Sequence, residues 1–260
     1  MRLVALQESA IQVFQSSLFN PFPDLVYGFS TRHGTVSAGI LAGLNLGAPD
    51  VDNPERVAQN RNDFFHALGI PVHRVAEGRQ IHSANVSVIH TPRSVPDCDA
   101  LITDQADLYL TIKTADCFAL LIYDAVQRVV AAVHAGWRGI HRGVIQHTIR
   151  KMQQEFGTQA KDLYITVGPG ALSCCYEVQP DVADLFPGEA SENRNGHIYL
   201  DLEAAIDEIL TELRVPAGNR EMTHRCTVCE ADNFYSYRRD GKQSGRMLAV
   251  IGMRGNQYES

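Results

Sequence analysis

The stretch that decides the fold is Ala100–His134, ALITDQADLYLTIKTADCFALLIYDAVQRVVAAVH. It holds about four strand-like runs, Ala100–Thr103, Tyr109–Thr114, Phe118–Tyr123 and Arg128–His134, and no helical periodicity. Several are near-continuous apolar runs, the pattern of strands covered on both faces. Four strands in a row break any regular strand–helix alternation, so a doubly wound parallel sheet fits poorly.

Outward from this block, further strands are expected at Val26–Ser30, Val86–His90, Leu163–Val167 and Met247–Gly252. Three amphipathic helices lie between them. Asn53 precedes Pro54 as a cap before proline at the first helical position, and Val57, Phe64, Phe65 and Leu68 share a face. A second helix places Ile140, Val144, Ile145, Thr148, Ile149, Met152 and Phe156 together and stops at Gly157. A third starts at Asp201 and aligns Leu202, Ala205, Ile206, Ile209, Leu210 and Leu213. No repeat or linker divides the chain, so residues 1–260 are read as one α/β (α+β) domain with a shared core.

With 260 residues and 45% hydrophobic content, the chain can bury a core that needs neither metal nor disulfides to hold it together. A net charge of -7 lacks the broad basic footprint of a nucleic-acid binder, although a local basic pocket remains open. The longest apolar runs are too short to span a bilayer, and Gln7 and Glu8 interrupt any signal-type stretch. A soluble, cytoplasmic monomer or small homo-oligomer with reduced cysteines is expected.

The polar groups of interest fall at strand ends. Cys117 sits in the turn Thr114-Ala115-Asp116-Cys117, His134 opens HAGWRG before the second helix, and His82 follows Gln80-Ile81 at a loop edge. Two imidazoles and a thiolate suit Zn²⁺ and leave a fourth position for water or substrate. Their spacing does not single them out. Half-buried loop histidines and a small buried Cys117 are the structural alternative, and on the residues alone the alternative leads for all three. Cys226-Thr227-Val228-Cys229 is an isolated C-x-x-C with no second half, and is read as structural. Cys174 and Cys175 are read as packing. Arg32, Arg138, Arg238 and Arg239 are candidate anion binders where two or three converge, since guanidinium forks match phosphate.

QIHSANV, TADCFALLIYD, HAGWRG, GPG with CCYEV, and FYSYRRDG with GR together resemble the YfiH-type laccase-domain family, also called the polyphenol oxidase or purine nucleoside phosphorylase family. STRHGTVSAG and LNLG resemble its opening motifs, and the likeness runs from about Gly28 to Met253. The resemblance implies a layered α/β/β/α sandwich with mixed sheets. It also implies zinc on His82, Cys117 and His134, and pocket residues at Arg32, Asn45, Arg138, Tyr176, Glu177 and Arg239. The implied activity is phosphorolysis of adenosine, inosine or guanosine and methylthioadenosine, with adenosine deamination besides. Thr35, Ser83 and Ala119 depart from the common pattern without removing a proposed ligand.

Phosphorolysis needs phosphate held by arginines and a departing base stabilised by a proton or hydrogen bond, for which Asp116 and Glu177 are the nominated catalytic acids beside Cys117 and His134. Deamination at C6 of adenine is chemistry that a metal-lowered water pKa permits, although the usual deaminase signature is absent. Three rivals stand beside this reading. One is copper-dependent oxidation of phenols, because Cu²⁺ competes well at such ligands in vitro. Another is a Cys–His amide hydrolase that edits peptidoglycan precursors. The third is a binding module with structural zinc.

Overall fold

A computed structural model describes residues 1–6, 9–34, 39–47 and 52–255; Thr35 lies outside the described residues. The four runs in the opening stretch are strands, Ala100–Thr103, Tyr109–Thr114, Phe118–Asp124 and Val129–Ala135. They do not form one sheet. Tyr109–Thr114 belongs to a seven-stranded sheet, and the other three to a six-stranded sheet. The chain therefore changes sheets between consecutive strands, which is how a continuous β stretch builds two layers.

The seven-stranded sheet is centred on Met247–Met253, antiparallel to both Leu25–Ser30 and Tyr109–Thr114. The six-stranded sheet is centred on Phe118–Asp124, antiparallel to Val129–Ala135 and Leu163–Val167. Parallel pairings at Val75–Gly78, Val86–Val88 and Arg220–Met222 make both sheets mixed. A third sheet of three strands joins Glu177–Val178, Ser191–Arg194 and His197–Leu200.

Three apolar clusters set the layer order. The first lies between the large sheets and brings Phe29, Ile112, Ala249 and Ile251 against Leu121, Tyr123, Val130 and Ala132. On the far side of the seven-stranded sheet, Phe64, Phe65 and Leu68 pack on Val13, Val26 and Val250. On the far side of the six-stranded sheet, Ile145, Ile149, Met152, Ile206 and Leu210 cover Leu120, Ile122 and Val133. Strands buried on both faces explain the unbroken apolar runs. The order is α/β/β/α, as expected.

The first helix spans Pro54–Ala67, and the Asn53 side chain accepts from the Glu55 and Arg56 N–H groups. The third expected helix runs Leu202–Glu212 under an Asp201 cap. The second differs from expectation. It is two helices, Trp137–His141 and Val144–Phe156, because Gly143 takes a left-handed conformation (φ 81°) that no continuous helix contains. The periodicity survives the break because Ile140 and Val144 pack in the same cluster. The strands that escape apolar patterning are short or at edges, such as Arg2–Ala5, Ser94–Val95 and Ser191–Arg194. Among the described residues, no helix is long and apolar enough to cross a membrane.

Leu121 tests this inter-sheet core, since it is fully buried between the large sheets. Leu121→Ala is expected to lower unfolding free energy by about 2–5 kcal/mol. Urea melts would show it as a lower midpoint at an unchanged slope; an unmoved midpoint would contradict the layer assignment.

Candidate metal centre and cleft

Each sequence-nominated ligand sits where the chain leaves a sheet. His82 lies between Val75–Gly78 of the seven-stranded sheet and Val86–Val88 of the six-stranded one. Cys117 lies at the crossing from Tyr109–Thr114 to Phe118–Asp124, and His134 near the end of Val129–Ala135, opposite Ala119. Their ligand atoms all fall within 4.8 Å of one another. Cys117 Sγ is 3.9 Å from His82 Nε2, and the two imidazoles meet edge to face at 4.9 Å.

Asp99 organises this group, and sequence reading missed it. Its carboxylate accepts from the backbone N–H groups of Ile81 (3.2 Å), His82 (3.0 Å) and Ser83 (2.8 Å) and from Ser83 Oγ (2.7 Å). It also lies 2.8 Å from His134 Nδ1. A carboxylate can only accept, so Nδ1 carries the proton and Nε2 is left for the cleft. His82 adopts φ 58°, and three successive N–H groups on one carboxylate hold it there. The available signal was an acid directly ahead of a buried strand, at Cys98-Asp99-Ala100.

The charges reinforce one another. Burial works against ionised Asp99, but hydrogen bonds from His134 and Ser83 hold it well below the usual carboxylate range. Burial would raise the Cys117 thiol, yet the His134 charge and hydrogen bonds from His134 and His82 bring it down to about 6. Burial would lower His134, but the Cys117 thiolate and Asp99 lift it to about 9. One thiolate and two imidazoles at this spacing could hold a metal ion. Gly136 belongs to the cradle, because a Cβ there would stand 2.8 Å from Cys117 Sγ and 3.2 Å from His82 Cδ2.

The trio opens on a cleft of about 830 Å³. Arg79, Lys113, Arg138, Arg238 and Arg246 line it, with Trp137, Tyr176 and Tyr237 as aromatic walls. Arg138 lies over the Trp137 ring at 4.2 Å and Arg238 over Tyr176 at 4.5 Å. Tyr176, pushed up to about 12 chiefly by burial and then by Cys117, keeps its phenolic proton.

The other nominated residues divide. Asp116 lines the cleft, but its two oxygens are taken by Thr227 Oγ1 (2.7 Å) and the Arg238 N–H (2.6 Å). Asn45 is buried beneath the cleft wall, where Oδ1 accepts from the Arg246 N–H at 3.0 Å. Glu177 is turned to His197 Nδ1 at 2.7 Å and is not a lining residue. Arg32 donates to the Ala42 and Ala231 carbonyls, and Arg239 to those of Thr227, Val228 and Phe234. Neither lines the cleft; Arg238 and Arg246 do. Arg246 closes the GR of the last quoted motif and was not nominated.

Away from the trio, Cys174, Cys175, Cys226 and Cys229 bring their sulfurs within 4.8 Å of one another, a second group that could hold a metal. The C-x-x-C thus has its second half in the adjacent pair, which spacing did not disclose.

Residues 26–254 match the family described as multi-copper polyphenol oxidoreductase laccase, and the chain belongs to it. It is 40% identical over 231 residues to a purine nucleoside phosphorylase of Deinococcus radiodurans, covering 87% of this chain and 88% of that one. It is 34% identical to the purine nucleoside phosphorylase YlmD of Geobacillus stearothermophilus, over 90% of this chain and 92% of the relative. The crystal structure of YlmD from that organism superposes with a TM-score of 0.88 at 31% identity, over 96% and 98% of the two chains. That of Bacillus licheniformis YfiH, a hypothetical protein, gives 0.86 at 27%, over the same shares.

Asp99→Asn replaces an all-acceptor group by one whose NH₂ must face a donor. Zinc affinity, measured by competition with a chelator, is expected to fall about 10–100-fold. Gly136→Ala keeps an allowed backbone but crowds Cys117 and His82, and should weaken the same affinity while leaving the urea midpoint in place. Unchanged affinity in both variants would remove the trio as a metal site.

Proposed function

We propose that this chain is a zinc-dependent purine nucleoside phosphorylase acting on adenosine, inosine or guanosine and methylthioadenosine, with adenosine deaminase activity. The observation that carries the reading is a single cleft with the His82–Cys117–His134 group on one wall and Arg138, Arg238 and Arg246 beside it. The names of the relatives support the same reaction class.

His82, Cys117 and His134 would hold the zinc, which supplies Lewis-acid charge there. Among the described residues no carboxylate pairs with Arg138, Arg238 or Arg246; Arg238 Nη1 donates to the Glu177 carbonyl and Arg246 Nη1 to those of Ser244 and Gly245, which leaves their other N–H groups for an anion. Phosphate bound by them attacks C1′ of the ribose as the bond from C1′ to the purine nitrogen breaks. The products are the base and ribose 1-phosphate. Negative charge developing on the departing purine meets this cationic cleft and the protonated Tyr176 hydroxyl, donors that need no rearrangement at the moment of reaction. Trp137, Tyr176 and Tyr237 offer faces on which a purine stacks. Asp116, with both oxygens engaged, acts as a positioning residue that ties Thr227 and Arg238 to the turn bearing Cys117.

A second reading has its own observation. Cys117, His134 and Asp99 stand in the order nucleophile, base and orienting acid, the arrangement of a Cys–His amide hydrolase. Thiol alkylation of metal-stripped protein separates the two, because only the hydrolase would be active before alkylation and dead after it.

Chromatography of adenosine incubated with the protein is the deciding test. Adenine and ribose 1-phosphate that appear only with phosphate are expected, together with some inosine in its absence. Adenosine untouched in both would overturn the proposal. Arg138→Ala and Arg246→Ala should each raise the KM for phosphate about 10–100-fold, the value of a lost charge-assisted hydrogen bond. An unaltered KM would place phosphate elsewhere.

A further inference from the structure

Two loops adjoin the cleft without contributing to the trio, and Tyr176 is the residue by which the first of them lines it. One follows Leu163–Val167 and carries Cys174, Cys175 and Tyr176; the other follows Arg220–Met222 and carries Cys226, Thr227 and Cys229. Backbone pairing joins them at Gly170, whose carbonyl accepts from the Thr227 N–H at 3.0 Å. Cys229 Sγ lies 3.3 Å from Cys175 Sγ and 3.6 Å from Cys174 Sγ. Four sulfurs about 2.3 Å from one tetrahedral zinc stand about 3.8 Å apart. The observed separations are close to that spacing and far longer than the roughly 2.05 Å of a disulfide.

All four side chains are free thiols, and their sulfurs lie within 4.8 Å of one another although the two pairs are about fifty residues apart in the chain.

We infer that Cys174, Cys175, Cys226 and Cys229 form a structural tetrathiolate zinc site, distinct from the His82–Cys117–His134 group. Binding exchanges thiol protons for one Zn²⁺ with no change of oxidation state. The ion braces the cleft wall: Tyr176 follows one ligand pair directly, and Thr227, inside the other, donates to Asp116 at 2.7 Å.

The test uses the full chain, stripped by chelator under reducing conditions and titrated with Co²⁺ alone, then with Zn²⁺ alone. Cys226→Ser with Cys229→Ser is expected to bind one equivalent fewer than the parent and to lose the intense sulfur-to-cobalt absorption of a tetrathiolate. Cys117→Ser is expected to keep that absorption. The two sites are thereby scored separately, and failure of the trio as a zinc site leaves this result readable. Should the double variant not fold, the parent itself decides: a thiol reagent should release one zinc as four cysteines react together. The site is overturned if the double variant binds as much metal as the parent, or if Cys117→Ser abolishes all sulfur-to-cobalt absorption. Non-reduced protein in which these four cysteines are paired as disulfides would overturn it equally.

Discussion

A buried carboxylate is tolerated only where donors surround it, and Asp99 receives five, from three backbone amides, one hydroxyl and one imidazole. That constraint shapes everything near it. The amides of Ile81, His82 and Ser83 can converge on one acid only if the loop curls, so Asp99 determines where the His82 ring stands. The imidazole can donate only through Nδ1, so the same acid fixes the tautomer of His134 and aims Nε2 at Cys117. The Asp99 carbonyl also accepts the His134 backbone N–H at 2.7 Å, which ties the strand end to the acid twice. Remove the charge, and the loop, the ring and the thiolate lose their common reference.

The cleft itself follows from the way the two large sheets are threaded. Six segments cross between them, and four carry residues of the site: residues 79–85 with His82, 96–99 with Asp99, 115–117 with Cys117, and 223–246 with Arg238 and Arg246. Each crossing exposes backbone polar groups that no strand partner satisfies, and side chains must do so. Gln80 answers one such demand by bonding both the N–H and the carbonyl of Lys113 at 2.8 Å. Loops placed at the edge of a rigid double sheet are suited to chemistry, because the inter-sheet core sets their anchor points.

What the sequence disclosed divides along the same line. Strands buried on both faces announce themselves as unbroken apolar runs, and amphipathic helices as periodic stripes with capping residues, so Phe118–Asp124 and Pro54–Ala67 were legible. His82, Cys117 and His134 were legible as residue types that suit a metal, yet only the family resemblance joined them. Contacts between distant loops leave no periodicity. Asp99 reads as one more acid before a strand, and Cys174–Cys175 as packing, until the fold brings them to His134 and Cys229. Gly143 shows the reverse failure: the apolar stripe continued across a break that it could not reveal.

Electrostatics explains why an acidic chain can present a cationic cleft. The chain carries 30 acids against 23 Lys and Arg, yet the acids near the cleft are spent on neighbours. Glu77 pairs with Arg61 and sits 3.7 Å from Lys113, Asp97 takes Arg79, and Asp240 takes Arg239, so two of the five cleft cations are paired and Arg138, Arg238 and Arg246 keep the cleft positive. The consecutive arginines of Tyr237-Arg238-Arg239-Asp240 show how the sorting works. Successive residues on a helical turn diverge by about 100°, so the side chains of Arg238 and Arg239 leave the turn in different directions. Arg239 turns inward to carbonyls and an acid and locks the loop; Arg238 turns outward over Tyr176 into the cleft. The pair divides into a cation that holds the loop and one that faces the cleft, where its Nη1 also donates to the Glu177 carbonyl at 2.7 Å.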